Sequence, residues 1–91
     1  MMKLAQVKGT VTATAKDAQL VGAKMLICDL TDGHGNISEK ACVALDTVGA
    51  GVGDQVLVVL GSAARIALKA AVAPVDAAVI AVVDRVDVKT K

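Results

Sequence analysis

Apolar and polar residues alternate through residues 3–16, KLAQVKGTVTATAK. Ala5, Val7, Val11, Ala13 and Ala15 fall on one side with Gly9, and Gln6, Lys8, Thr10, Thr12, Thr14 and Lys16 fall on the other. A period of two over that length predicts one long half-buried strand, with Gly9 as its bend or bulge. Residues 17–22 read as a loop. A second strand is predicted over residues 24–30, where Met25, Leu26, Ile27 and Cys28 make both faces apolar. TDGHGN, residues 31–36, carries Asp-Gly followed by Gly-Asn, which is hairpin chemistry.

A short third strand is expected over residues 41–45 and a fourth, QVLVVL, over residues 55–60, entered from a glycine turn and closed by Gly61. Ser62 then stands where a helix cap belongs, ahead of AARIALKAAV, whose polar positions Ser62, Arg65 and Lys69 share one helical face. Pro74 ends this short alanine-rich helix. Residues 75–88 supply a fifth strand, continuously apolar over residues 77–83 before Asp84, Arg85 and Asp87 restore polarity; the terminal KTK is expected to fray. There is no repeat, linker or low-complexity tract.

Residues 1–91 therefore form one all-β domain: a small five-stranded barrel of the oligonucleotide/oligosaccharide-binding (OB-like) type, with one short α-helix between strands 4 and 5. Strands 2 to 5 are apolar on both faces, which a barrel interior alone does not explain, and one small helix covers only part of the outside. The remaining apolar exterior calls for a partner, and further copies of the chain are the default.

Composition sharpens that expectation. Hydrophobic residues make up 55% of the chain, the mean hydropathy is +0.63, and there is no Phe, Trp or Tyr, so the apolar content is mainly Ala and Val. Small side chains permit close approach but bury little area each. A single chain of 91 residues buries only roughly 60 to 65% of its unfolded surface, so the fold is marginal alone. The formal charge of +1 gives no electrostatic attraction to nucleic acid or an anionic membrane. MMKLAQVKGT has no apolar segment of signal-peptide length, and the longest apolar run, residues 77–83, is too short to span a bilayer, so a cytoplasmic protein is expected. Cys28 and Cys42 lie within apolar stretches without CxxC spacing and read as reduced core thiols.

The densest cluster of candidate chemistry is DTVGAGVGDQVLVVLGSAAR, residues 46–65, with four of the eight glycines. Gly49, Gly51 and Gly53 at alternate positions permit positive φ or a close backbone approach. GAGVGD invites comparison with a dinucleotide fingerprint, but there the glycines lead into a helix whose N-terminus holds the pyrophosphate. Here they lead into a strand, and Asp54 would repel a phosphate. Ser62 lacks a partner base other than the distant His34, which reads as an exposed turn residue. Asp46, Asp54, Asp76 and Asp84 show no pairing for acid/base work and read as turn and ion-pair residues; for Asp76 and Asp84, which flank an apolar strand, Arg65 is the natural partner. A nucleic-acid-binding barrel is the alternative function, but it relies on aromatic platforms and a basic groove, and this chain has neither.

Three segments in fixed order, AQVKGTVTATAK, DTVGAGVGDQVLVVLGSAAR and PVDAAVIAVVDRV, together resemble the pentameric vertex proteins of bacterial microcompartment shells, the EutN/CcmL family. The resemblance spans nearly the whole chain. It implies a five-stranded barrel, a homopentamer and a structural, non-enzymatic role, closing the five-fold vertices of a polyhedral shell otherwise tiled by hexameric shell proteins, in a carboxysome or a metabolosome within the cytoplasm. It brings no catalytic residue, cofactor or metal, and implies no nucleic-acid or membrane partner. The chain stops soon after Val88, where some members continue with a longer C-terminal segment. Val48, Gly49, Ala50, Gly51 and Gly53, with Ser62, Ala63 and Arg65 at the helix start, are the residues expected in or beside the subunit interface or axis.

Overall fold

The computed structural model describes residues 1–12, 24–67 and 76–87. Its elements are β1 (Met2–Val11), β2 (Met25–Thr31), β3 (Ile37–Asp46), β4 (Gln55–Leu60), α1 (Ser62–Ala67) and β5 (Ala77–Val82). The strands close into a barrel in the order β1-β2-β3-β5-β4, antiparallel throughout except for the parallel pair β3 and β5. This is the five-stranded all-β barrel with a helix between β4 and β5 that the apolar patterning predicts. The expected strand residues 13–16, the loop over residues 17–22, the helix beyond Ala67 with Lys69 and Pro74, Val75, Val88 and the KTK tail lie outside the described residues.

The interior is built from alternate positions of every strand. Ala5, Val7, Leu26, Cys28, Leu30, Ala44, Val56, Val58, Ala77 and Val79 belong to one buried cluster that contains no charged residue. The outer face has its own cluster beneath α1, where Leu45, Val59, Ala64 and Ala78 are buried and Met25, Ala63, Ala67 and Ile80 pack against them. Double-sided apolar strands thus have two causes here, a barrel core inside and a helix outside.

Three expectations change. The alternation along β1 does not keep one face throughout. Val7 pairs with Cys28 and Gly9 with Ile27, so Lys8 is an extra residue in the ladder. Directly paired residues share a side of the sheet, so the bulge turns Gly9 and Val11 to the outer side with Ile27 and Met25, away from Ala5 and Val7. β3 starts at Ile37, four residues before the expected start, because ISEK has no apolar alternation yet pairs through its main chain with the end of β2. Helix α1 opens at Ser62 with Gly61, at φ 68°, before it, and the Gly61 carbonyl accepts a bond from Ala64 N at 3.1 Å; Gly61 rather than Ser62 occupies the cap position.

The strand ends follow partner availability. β5, expected to run on to Val88, ends at Val82: Val83 still donates to Gln55 O at 2.7 Å, but Gln55 is the first residue of β4 and the partner strand goes no further. Asp76 and Asp84 are exposed, so neither carboxylate bears the desolvation cost that prompted the search for a partner. Arg85 bonds Asp87, Nη2 to Oδ2 at 3.0 Å, with both side chains mostly in solvent.

Candidate functional site

The glycine-rich segment between β3 and β4 is braced by two strands, β1 and β5, and by Lys24. At its start, Asp46 lies with its side chain 3% exposed, and its Oδ1 accepts from Val48 N at 3.0 Å and Gly49 N at 3.2 Å. Lys24, immediately before β2, stands 3.6 Å from Asp46 Oδ2 and donates from Nζ to Ala50 O at 2.6 Å. Thr47 bonds Val79 O of β5 through both its N (3.2 Å) and its Oγ1 (2.7 Å). The far end is tied to β1: Gly53 N donates to Val7 O and Val7 N to Asp54 O, both at 2.9 Å, and Gln6 Nε2 donates to Gly53 O at 2.9 Å. Between them, Asp54 N donates to Gly51 O at 3.0 Å and Asp54 Oδ2 accepts from Gly51 N at 2.8 Å, a reciprocal turn.

The glycines divide by role. Gly49 (φ 83°) and Gly53 (φ 95°) occupy the left-handed region, where a Cβ is strained whatever the space around it. Gly51 is not in that region, and the nearest atom to a Cβ placed on it is Asp54 Oδ2 at 4.0 Å. Among the described residues nothing requires glycine at residue 51, so the positive φ that the alternate glycines permit is used at Gly49 and Gly53 only.

The remaining candidate residues separate in the same way. Ala50 is fully buried and belongs to the interior cluster, so it seals the barrel mouth and presents no surface. Val48 is 44% exposed at the outer side of the loop. Ser62 is exposed, Arg65 is half-buried, and Ala63 packs on the outer cluster. Val52, inside the expected span of residues 48–53, is 66% exposed, and Ile66 on α1, which that expectation left out, is 77% exposed. The signal for both was present, as large apolar residues on segments whose buried positions were already filled by alanine.

Two more apolar rows lie on the outer face of the barrel. Gly9, Ile27 and Val43 are successive cross-strand partners on β1, β2 and β3, with Val43 48% exposed. Leu4, Leu57 and Ala81 form a second row on β1, β4 and β5, each half-buried. Neither row belongs to the cluster beneath α1.

Among the described residues no group of three or more His, Cys, Asp or Glu could hold a metal ion. His34 is exposed at the tip of the β2–β3 hairpin, where Asp32 Oδ1 accepts from His34 N at 2.8 Å and Asn36 N at 3.2 Å. These backbone bonds, with Asn36 Nδ2 on Asp32 Oδ2, hold the Asp32 carboxyl below the usual range. A cleft of about 180 Å³ beside the hairpin has Gln6, Lys8, Asp29, Thr31 and Ile37 in its wall.

Comparisons with known proteins agree over nearly the full length. The family model described as ethanolamine utilisation protein EutN/carboxysome matches residues 2–84. The carboxysome shell vertex protein CcmL of Nostoc sp. is 46% identical over 91 residues, 99% of this chain and 90% of that protein. The bacterial microcompartment shell vertex protein EutN of Salmonella typhimurium is 42% identical over 85 residues, 93% of this chain and 86% of that one. Among solved structures, Nostoc CcmL superposes with a TM-score of 0.85 at 47% identity, covering 92% of this chain and 90% of that one. The GrpN pentameric microcompartment shell protein of Rhodospirillum rubrum gives 0.84 at 36% identity, covering 97% and 99%. Matched in sequence and in fold over nearly its whole length, the chain belongs to the EutN/CcmL family of bacterial microcompartment shell vertex proteins.

Proposed function

We propose that the chain assembles into a homopentamer that closes the five-fold vertices of a polyhedral shell otherwise tiled by hexameric shell proteins, and that it does so without catalysis of its own. The observation that carries this reading is the uncovered apolar exterior. A cyclic ring is built from heterologous contacts, in which two different patches of one subunit meet their counterparts on its two neighbours. The rows Gly9–Ile27–Val43 and Leu4–Leu57–Ala81 lie on different strands and supply two such patches. Val48, Gly49, Gly51 and Gly53, with Ser62, Ala63 and Arg65, lie in or beside the contact between subunits, and Ala50 supports the loop from inside.

The geometry of shells gives the ring its purpose. Hexagons alone tile a flat sheet, and pentagons introduce the curvature that closes it. A rigid subunit suits that task, and the brace around residues 46–54 fixes the loop at both ends before any neighbour arrives.

Sedimentation and native mass measurement at micromolar chain concentration test the assembly, and a stable monomer overturns it. Co-expression with a hexameric shell protein tests the vertex role. Closed polyhedral particles are expected with the chain and open sheets or tubes without it; equally closed particles in its absence overturn the role.

A further inference from the structure

We infer that Cys28 and Cys42 form an oxidisable dithiol, a site at which a low-molecular-weight disulfide such as oxidised glutathione installs a reversible cross-strand bond between β2 and β3. The two residues are direct partners in the antiparallel ladder, so their side chains leave the same side of the sheet. That side is the interior: Cys28 is wholly buried in the barrel core and Cys42 packs against it. Both are free thiols.

The class of the pair follows from a neighbouring bond. Asp46 N donates to Lys24 O at 2.9 Å, which makes Lys24 and Asp46 a hydrogen-bonded pair. The pairing runs without a shift from Met25–Leu45 to Cys28–Cys42, and hydrogen-bonded and non-bonded pairs alternate. Cys28 and Cys42 are therefore also a hydrogen-bonded pair. Such pairs set their Cα atoms about 5.5 Å apart, near the commonest disulfide separation. Their Cβ atoms stand at the wide end of the cross-strand range, about 5 Å or more, against a mean of about 3.8 Å in disulfides. The bond forms only if the strands draw together, and the resulting strain makes it easily reduced. The slack is adjacent: the register shifts just beyond Cys28, and Ala41, next to Cys42, sits at φ 59° with its N–H on Asp29 Oδ1 at 3.0 Å.

The exchange balances with the stated oxidant. The Cys42 thiolate, the more accessible of the two, attacks the small disulfide, forming a mixed disulfide and releasing one small thiolate. The Cys28 thiolate then displaces the second. The two protons lost by the cysteines end on the two released thiols, so the protein dithiol is oxidised and the small disulfide is reduced. Burial pushes the Cys28 thiol up to about 11, with Cys42, Asp29 and Asp46 adding to it. Burial likewise raises Cys42, with Glu39 and Asp76 adding to it. The exchange is accordingly slow at neutral pH and accelerates in mild alkali.

The test treats the assembled protein with oxidised glutathione at mildly alkaline pH and reads the intact chain mass without reductant. The wild-type chain is expected to lose the mass of two hydrogen atoms, to yield a linked pair of peptides containing Cys28 and Cys42, and to regain the mass in reduced glutathione. Cys28→Ser is expected to stop at a single glutathione adduct on Cys42. A wild-type chain that stops at that adduct, links only to other chains, or stays unmodified after prolonged exchange overturns the inference. Reading the wild type itself keeps the outcome independent of whether either variant folds.

Discussion

Asp46→Ala removes the anchor of the glycine loop, and its cost can be worked from the contacts. The Asp46 carboxylate accepts from Val48 N and Gly49 N, in the manner of an Asx cap. Replacing such a cap by alanine costs about 1 kcal/mol, ranging to about 2 where two donors are left open. The ion pair with Lys24 adds less. The lysine side chain is 51% exposed, and a pair so solvated contributes under about 1 kcal/mol. Lys24 also keeps its bond to Ala50 O, so it is not stranded. The sum is about 2 kcal/mol for Asp46→Ala, and under about 1 kcal/mol for Asp46→Asn, which retains an oxygen for the two amides and loses only the charge.

With no Trp, Tyr or Phe in the chain, far-ultraviolet circular dichroism during urea unfolding is the suitable probe. Chain concentration must be held fixed, because assembly stabilises the folded state by mass action. At a urea slope of about 1–1.5 kcal/mol/M the alanine variant should unfold about 1–2 M earlier. In 1 M salt the gap between Asp46→Asn and the parent should narrow without closing, since Lys24 is half exposed while the Asp46 side chain is buried and less screened. An alanine variant within about 0.5 kcal/mol of the parent, or an asparagine variant as weak as the alanine one, would refute the account of the loop brace.

Three further perturbations separate the roles assigned above. Gly53→Ala places a Cβ at φ 95° and should cost about 1–2 kcal/mol in urea unfolding, whereas Gly51→Ala should leave chain stability unchanged within about 0.5 kcal/mol; loss of pentamer by Gly51→Val at unchanged secondary structure would place another chain against that position. Val43→Asp, on the outer row and 48% exposed, should shift sedimentation from pentamer toward monomer while the dichroism spectrum is kept, and a fully pentameric variant would remove that row from the interface. The hairpin tip should loosen in acid. Asp32 has its folded pKa below the ordinary value, so its contribution is present above the unfolded pKa and is lost as pH falls through the folded one. Amide shifts of His34 and Asn36 should move together in that acid range, and Asp32→Ala should abolish the step.

The parts of the fold visible in the sequence are those in which one local signal decides. QVLVVL between two glycine turns gives β4 at its observed bounds, Gln55–Leu60, and Asp-Gly with Gly-Asn gives the hairpin between β2 and β3. The first half of β3 was not visible. ISEK is exposed on all four residues, so no pattern of burial marks it, and only the main chain of β2 makes it a strand. The bulge at Lys8 was half visible: Gly9 signals an irregularity, but not that Val11 changes side, because face assignment is a property of the partner's register.

The same boundary runs through the candidate site. Alternate glycines in residues 49–53 announce an unusual backbone, and the lack of any Phe, Trp or Tyr, with a formal charge of only +1, argues against a nucleic-acid groove on composition alone. Which glycines need positive φ, that Ala50 turns into the core, and that Lys24 reaches across to the loop were decided by tertiary contacts between residues far apart in the chain. By itself the sequence determined the barrel, its strand count and its excess of apolar surface, since these follow from periodicity and composition. The tertiary structure alone decided which of that surface α1 covers and which stays open, because burial depends on which strand lies beneath each side chain, and no local window of sequence contains that information.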